Sequence, residues 1–213
     1  MSNQLVEQHP DLLTETPGPR LFTGFLKVSP DLGYSHTLQA GVSFGRSRSH
    51  QEAESVPGIG TEAFDGATWF FLTDWVWRYD SSKQYGQGDL TVQGEYIYRS
   101  KSLDFMRATN RMNARSSQQD GLYAQAVYGV GPRWTIGGRF EVIGLQNRMT
   151  LTPSLDLSAS TRSSANVTFN PTEFSRFRVQ YNHGSFWNGR KVSFDQLYVQ
   201  FQMSLGVHGA HRF

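Results

Sequence analysis

The residues near the carboxyl end of this 213-residue chain alternate between apolar and polar side chains. The apolar side chains take the odd positions Leu197, Val199, Phe201, Met203, Leu205 and Val207, and the chain ends at Phe213. The even positions between them are polar or small. Since successive side chains of a β-strand point to opposite faces, this segment predicts a strand with one face suited to hydrocarbon and one suited to water.

The same alternation recurs along the chain, so we predict about nine strands. They cover 22–28, 38–44, 69–79, 90–99, 122–130, 134–142, 164–169, 176–182 and 197–207. Short turns follow the odd-numbered predicted strands, and long polar loops are predicted near 46–66, 100–121, 144–160 and 183–193. Tight turns at one rim and long loops at the other are typical of an antiparallel transmembrane β-barrel of the bacterial outer membrane.

Composition agrees with a barrel and excludes several other classes. No stretch approaches the roughly 18 consecutive apolar residues that a membrane helix needs. Aromatic residues make up 14% of the chain and there are 21 glycines, which suits interfacial aromatic girdles and a twisted sheet. The absence of cysteine excludes disulfides and thiolate metal sites. A net charge of +2 is too small to indicate nucleic acid as a partner.

We therefore predict an all-β fold, with a polar irregular lead-in over residues 1–18 and barrel strands over 19–213. The first residues lack the basic start and apolar core of a secretory signal. The first predicted strand also begins at the long-loop rim, whereas bacterial barrels usually have an even number of strands. We expect this chain to be the carboxy-terminal part of a longer barrel that contacts outer-membrane lipid and the barrel-assembly machinery.

The predicted polar faces carry charged side chains that would line the lumen of a barrel, and basic residues outnumber acidic ones. They are Lys27, Asp74, Arg78, Glu95, Arg99, Arg139, Glu141, Arg176 and Arg178. A lumen with this lining would favour anions, because a narrow low-dielectric passage focuses the positive potential. The alternative is that these charges pair across strands and only hold the wall together.

No motif points to a catalytic or metal centre. His208 and His211 lie three apart, so on a strand they point to opposite faces and would not bind one ion without a bend. His50 with Glu52 and Glu54 reads as a solvated polar loop. The sequence has no nucleophile elbow, phosphate loop or HExxH. We expect no enzyme, no cofactor and no metal site.

Four blocks of the sequence resemble a known family. They are QGEYIYR (93–99), DGLYAQAVYGVGPRW (120–134), PTEFSRFRVQYN (171–182) and MSLGVHGAHRF (203–213). The family is a group of proteobacterial outer-membrane barrels often described as zinc-regulated, TonB-dependent outer-membrane receptors and similar in build to porins. The resemblance covers most of the chain from about Pro19 and implies an outer-membrane barrel. The plug and energy-coupling segment of a TonB-dependent receptor are not among these residues, so active transport is not implied.

The function expected from these observations is that of a porin-like or receptor-like barrel that passes or captures a small solute, either an anion or a metal. The charged lumen would select the solute, extracellular loops would gate it, and assembly as a homo-oligomer is compatible with this role. One alternative is a soluble all-β module whose aromatic residues stack on sugar rings. The other is a structural outer-membrane protein. A barrel carries its apolar face outside, whereas a sandwich buries it between sheets.

The closing strand leads to a first prediction about assembly. Phe201, Met203, Leu205, Val207 and Phe213 form its predicted assembly signal. Deleting Phe213 or replacing it with a charged residue should block insertion far more than the same change at Arg212, because an incomplete closing strand leaves unpaired backbone groups at an edge. Heat-modifiable electrophoretic mobility of each variant measures this, and equal folding of the two would contradict it.

Overall fold

The computed structural model describes residues 13, 15, 17–56, 58, 60–105, 114–150, 155–156, 158–187 and 189–204. These residues form ten β-strands and one three-residue 3₁₀ turn, Gln84–Gly86. The strands are β1 (Leu21–Val28), β2 (His36–Val56), β3 (Gly60–Tyr79), β4 (Leu90–Phe105), β5 (Ala114–Gly131), β6 (Trp134–Thr150), β7 (Leu155–Asp156), β8 (Ser160–Thr172), β9 (Ser175–Trp187) and β10 (Lys191–Met203). No described helix is long and apolar enough to cross a membrane.

The strands form a single antiparallel meander. Each long strand pairs with the next one along the chain, in the order β1-β2-β3-β4-β5-β6-β8-β9-β10, and the two-residue β7 pairs with β6. The predicted all-β antiparallel class and the nine long strands are confirmed. Among the described residues β1 and β10 are not paired with each other, so the sheet is open.

The segments predicted as long loops are mostly strand, which corrects that prediction. β2 and β3 extend through 46–66 and are separated by three residues, and β4, β5, β6 and β9 also extend well past their predicted ends. Alternation disappears in these extensions because polar side chains occupy both faces, yet paired backbone groups still satisfy one another there. The closing strand starts at Lys191, earlier than predicted, and Leu205, Val207 and Phe213 fall outside the described residues.

The register places the apolar side chains of neighbouring strands in line. Trp134 pairs with Phe169, Phe169 with Phe177, and Phe177 with Phe201. The Trp134–Phe169 and Phe177–Phe201 rings stack with centroids 4.6 Å apart. Other rows of residues paired across the strands also place apolar side chains on this side of the sheet. One side of the sheet is therefore an apolar face from β1 to β10.

The apolar face is the more exposed of the two. On β5, the side chains of the apolar face are exposed, whereas those of the opposite, polar face are half-buried or buried. On the polar face, Thr168 and Asn182 are only 2% and 3% exposed, while Val179 on the apolar face is 48% exposed. No second layer of described residues covers the apolar face. This is the reverse of a soluble sandwich and is typical of a membrane barrel wall.

The sheet is staggered, as a barrel wall must be. Pairing connects Lys27 on β1, strand by strand, with Phe194 on β10. Lys27 lies one residue before the end of β1, whereas Phe194 lies nine residues before the end of β10. A register that shifts steadily along the chain tilts the strands, and strand tilt is what closing a barrel requires.

The apolar face has the height of a bilayer core. On β3 it runs from Trp69, whose ring contacts Tyr98, to Trp77 beside His36. Eight residues at about 3.4 Å each, tilted by about 40°, rise about 20 Å, close to the apolar band of about 25 Å in such barrels. The parts of β2 and β3 beyond Trp69, here called the β2–β3 extension, carry mostly polar side chains, with Ala63 and Phe64 buried among them, and lie outside this band.

Two adjacent residues of β9 test the assignment of faces. Val179 lies on the apolar face and Gln180 on the polar face. Val179→Arg should destabilise the membrane-inserted protein by about 2–4 kcal/mol, because it places a charge in hydrocarbon, and Gln180→Arg should have little effect. Equilibrium unfolding in lipid vesicles measures both variants. Equal losses would contradict the assignment.

Candidate functional site

The polar face carries a line of charged residues that crosses all nine long strands. Members of this charged line pair directly through the backbone register. They are Lys27, Gly41, Asp74, Glu95, Tyr123, Glu141, Arg162, Gly184 and Phe194. Because of the stagger, the line climbs from the rim formed by the turns after β1, β3, β5 and β8, here called the short-turn rim, towards the opposite rim.

At the start of the charged line, a glycine allows two charges on non-adjacent strands to meet. Lys27 Nζ lies 3.1 Å from Asp74 Oδ2, across β2. Between them Gly41 has no side chain, and a Cβ there would lie 2.8 Å from Asp74 Oδ1 and 3.1 Å from Lys27 Cγ. The pair therefore neutralises one predicted lumen base and one predicted lumen acid.

Further along the line, one acid is shared by two arginines. Arg139 Nη2 donates to Glu141 Oε1 at 2.6 Å, and Arg162 Nε donates to Glu141 Oε2. The Arg139 guanidinium also lies over the Tyr123 ring, 4.1 Å from its centroid. Arg162 and Tyr123 were not predicted as site residues from the sequence. Arg139 and Glu141 lie on one strand, whereas the pairing across strands considered from the sequence is made by Arg162 with Glu141 and by Lys27 with Asp74.

The other predicted bases have no acidic partner among the described residues. Arg178 Nε donates to Thr168 Oγ1 at 3.0 Å, Arg176 Nε to Asn170 Oδ1 at 3.3 Å, and Arg99 to Gln119. Arg78 is exposed, and no described side chain bonds it. Glu95 is likewise without a described cationic partner.

All nine predicted lumen charges lie on the polar face. Their role in a lumen stays a prediction. Of the predicted assembly signal, Phe201 and Met203 lie on the apolar face and are 57% and 55% exposed. The division of the chain at residue 18 also stays a prediction.

A polar cluster lies in the β2–β3 extension. Glu52 Oε1 accepts from Lys101 Nζ at 2.5 Å and contacts His50 Nε2 at 2.9 Å. Burial raises the pKa of Glu52, but the hydrogen bonds and charges of Lys101 and His50 outweigh it and hold that pKa below its usual value. In the described part of the chain, no three His, Asp or Glu side chains gather as metal ligands.

Comparison with known proteins supports the fold. The chain matches no protein-family model. It is 33% identical over 210 residues to an uncharacterized protein of Aquifex aeolicus (strain VF5), a match that covers 93% of this chain and 42% of that protein. The chain thus spans less than half the length of this relative.

The solved structures it resembles are outer-membrane proteins. In-vitro folded OmpT, an outer membrane protein of Vibrio cholerae, matches with a TM-score of 0.53 and 14% identity, over 86% of this chain and 55% of that one. Outer-membrane expressed OmpT of Vibrio cholerae gives a TM-score of 0.47 at 14% identity, over 84% and 56%. Together with the exposed apolar face, the first match shows an outer-membrane β-barrel fold, and the location is the bacterial outer membrane.

Two expectations from the sequence are corrected by these findings. Membership of a TonB-dependent receptor family is not supported, since no family model matches and the similar structures are OmpT. The conclusion that the protein is not an enzyme was wrong. It rested on absent motifs, and enzymes and non-enzymes share the barrel fold that the likeness to OmpT shows, so absent motifs do not exclude an activity.

The gap at Gly41 generates a prediction about stability. Gly41→Val should cost about 1–3 kcal/mol, because the new side chain separates Lys27 from Asp74 and overpacks the site. Gly138→Val is the matched control, since a Cβ there meets no atom within 4 Å. Unfolding in detergent or lipid measures both. Equal stability of the two variants would show that the close approach at Gly41 has no energetic role.

The cluster at Glu52 generates a prediction about pH. A carboxylate with a lowered folded pKa stabilises the folded form above its usual pKa of 4.5, and this contribution is lost as the pH falls through the folded value. The β2–β3 extension should therefore exchange its amide hydrogens faster, after correction for intrinsic rates, at about pH 3.5 than at about pH 6.

Two variants control this measurement. Glu52→Gln should show the faster exchange already at neutral pH, since Lys101 loses its ionised partner. Glu62→Gln removes one negative charge from the same β2–β3 hairpin, as Glu52→Gln does, but it should behave like the parent protein. A parent protein whose extension exchanges equally at both pH values would refute the role of Glu52.

Proposed function

We propose that the protein forms an outer-membrane pore whose polar face lines the lumen and which passes small anions. The observation that carries this proposal is the imbalance of unpaired charge on that face. Arg78, Arg99, Arg176 and Arg178 have no acidic partner among the described residues, whereas Glu95 is the unpaired acid among the predicted lumen charges. In a low-dielectric passage such an imbalance lowers the barrier for anions.

The position of these arginines supports the proposal. Arg78 lies one residue before the end of β3, Arg176 one residue after the start of β9, and Arg178 two residues further on. All three are therefore near the short-turn rim. We assign this rim to the periplasm because the strands extend far past the apolar band only at the opposite rim, as they do on the extracellular side of bacterial barrels. The acids of the charged line lie deeper: Asp74 is five residues from the end of β3 and Glu141 seven residues from the start of β6.

The proposed partners follow from the two faces and the two edges. The apolar face would contact outer-membrane lipid, and the barrel-assembly machinery would insert the protein into the membrane. Unpaired strand edges are not tolerated in hydrocarbon, because backbone N–H and C=O groups have no water there. We propose that β1 and β10 each pair with a further strand, from the same protein or from a second copy, to close the wall.

Reversal potentials of the full-length protein in a planar bilayer under a salt gradient test the proposal. The pore should prefer anions at low salt, and the preference should weaken at 1 M salt, where the Debye length is about 3 Å. Arg176→Gln with Arg178→Gln should reduce the preference. Arg46→Gln is the control, because it makes the same change of charge on the opposite face, where Arg46 pairs with Trp69. It should leave the anion preference unchanged.

Three outcomes would overturn the proposal. A cation preference would show that other charges set the potential. An anion preference unaffected by the double substitution would show that Arg176 and Arg178 belong only to the wall. A folded protein without conductance would favour a structural role.

A further inference from the structure

The polar face also carries an apolar stripe directly beside the charged line. It follows one row of residues in which each is paired with the next on the neighbouring strand: Phe25, Ser43, Leu72, Ile97, Gly121, Ile143 and Ser160. Ser160 accepts the backbone N–H of Trp187 at 2.9 Å, next to the paired Phe186 and Val192. The apolar members of this stripe are Phe25, Leu72, Ile97, Ile143, Phe186 and Val192.

All of these side chains except the half-buried Leu72 are exposed, on a face that is mostly polar. Ile143 is 64% and Phe186 54% exposed. On the other side of the charged line, the next row of paired residues on the polar face contains Gln93, Gln125 and Asn182. Exposed apolar surface bordered by polar groups marks a binding surface, because contact with a ligand removes it from water.

A cavity of about 330 Å³ lies where the stripe and the charged line run side by side. Its apolar lining includes Ile97, Ile143 and Phe186, and its charged lining includes Glu95, Glu141 and Arg162. Both oxygens of Glu141 are already occupied by arginines. This leaves Glu95 as the acid of the lining without a described cationic partner.

Arg162 supplies the complementary charge. Its Nε is bonded to Glu141, and no described group bonds its two terminal nitrogens. A guanidinium edge of this kind binds a carboxylate through paired hydrogen bonds. Glu95 on β4 and Arg162 on β8 are separated by β5 and β6, three strand spacings of about 4.8 Å each before the side chains reach inward.

We propose that this cavity binds a small zwitterionic solute with apolar side chains, of the class of apolar dipeptides, whose two charged groups lie at opposite ends of an extended chain. The ammonium group would meet Glu95, the carboxylate would meet Arg162, and the apolar side chains would cover Ile97, Ile143 and Phe186. The inference goes beyond anion passage and rests on the proposed function only in that the polar face lines the lumen.

Four probes separate the three contacts in the full-length protein. Leucyl-leucine carries both charges and apolar side chains, glycyl-glycine carries the charges alone, and octanoate and octylammonium each carry one charge and an apolar chain. Leucyl-leucine should block the ion current reversibly at a concentration about tenfold lower than any of the others, the ratio that about 1.4 kcal/mol provides. Saturation-transfer NMR of its methyl groups on detergent-folded protein gives a second readout that does not need conductance.

Variants assign each contact. Glu95→Gln, Arg162→Gln and Ile143→Asn should each weaken leucyl-leucine binding about tenfold. Val76→Asn is the matched control, since Val76 is an apolar residue of the polar face outside the stripe, and it should bind like the parent protein. The two charge variants should bind octanoate and octylammonium differently, Glu95→Gln losing octylammonium and Arg162→Gln losing octanoate.

The outcomes distinguish this inference from the pore proposal. The proposed site would be overturned if glycyl-glycine or either single-charge probe blocked the current as effectively as leucyl-leucine. Unchanged leucyl-leucine binding in the two charge variants would overturn it as well. Those results leave anion selectivity intact. An absent or cation-selective conductance with normal leucyl-leucine binding by NMR would overturn the pore proposal and support the site.

Discussion

The ladder of backbone hydrogen bonds across nine strands is the constraint on which the rest of this structure depends. Because side chains alternate with a period of two, one register keeps the apolar residues of every strand in line on one face and the charged residues on the other. A slip of one residue between any two strands would move a whole set of charges into the lipid. The steady stagger of the same ladder tilts the strands and gives the sheet the form of a barrel wall.

The register also decides which charges remain available to a solute. It brings Lys27 and Asp74 together across Gly41, and it places Glu141 between Arg139 and Arg162. Partly exposed pairs of this kind contribute little to stability. They nevertheless change the charge of the polar face, because Lys27 and Asp74 cancel each other and Glu141 cancels one of its two arginines. Of the remaining arginines, Arg78, Arg176 and Arg178 lie near the short-turn rim, so the charge of the face is uneven along its height.

Much of the fold could be predicted from the sequence, since alternation within the bilayer is imposed by lipid on one side and water on the other. The ends of the strands could not be predicted, because beyond Trp69 both sides of the sheet face water and apolar and polar residues no longer alternate. Arg162 was missed because it lies among Ser160, Thr161 and Ser163, where no apolar residue marks the face. The apolar stripe was missed since its members are neighbours only through pairing between strands.

We propose that the apolar face meets lipid and that the polar face lines an aqueous lumen. The chain has no cysteine, so single cysteines placed along β9 from Phe177 to Asn182 can be spin-labelled without background. Collision rates with oxygen and with a water-soluble nickel chelate, measured by EPR in lipid bilayers, report each environment. We predict strict alternation, with Phe177, Val179 and Tyr181 accessible to oxygen and Arg178, Gln180 and Asn182 accessible to the chelate. Equal accessibility of both sets to the chelate would contradict it.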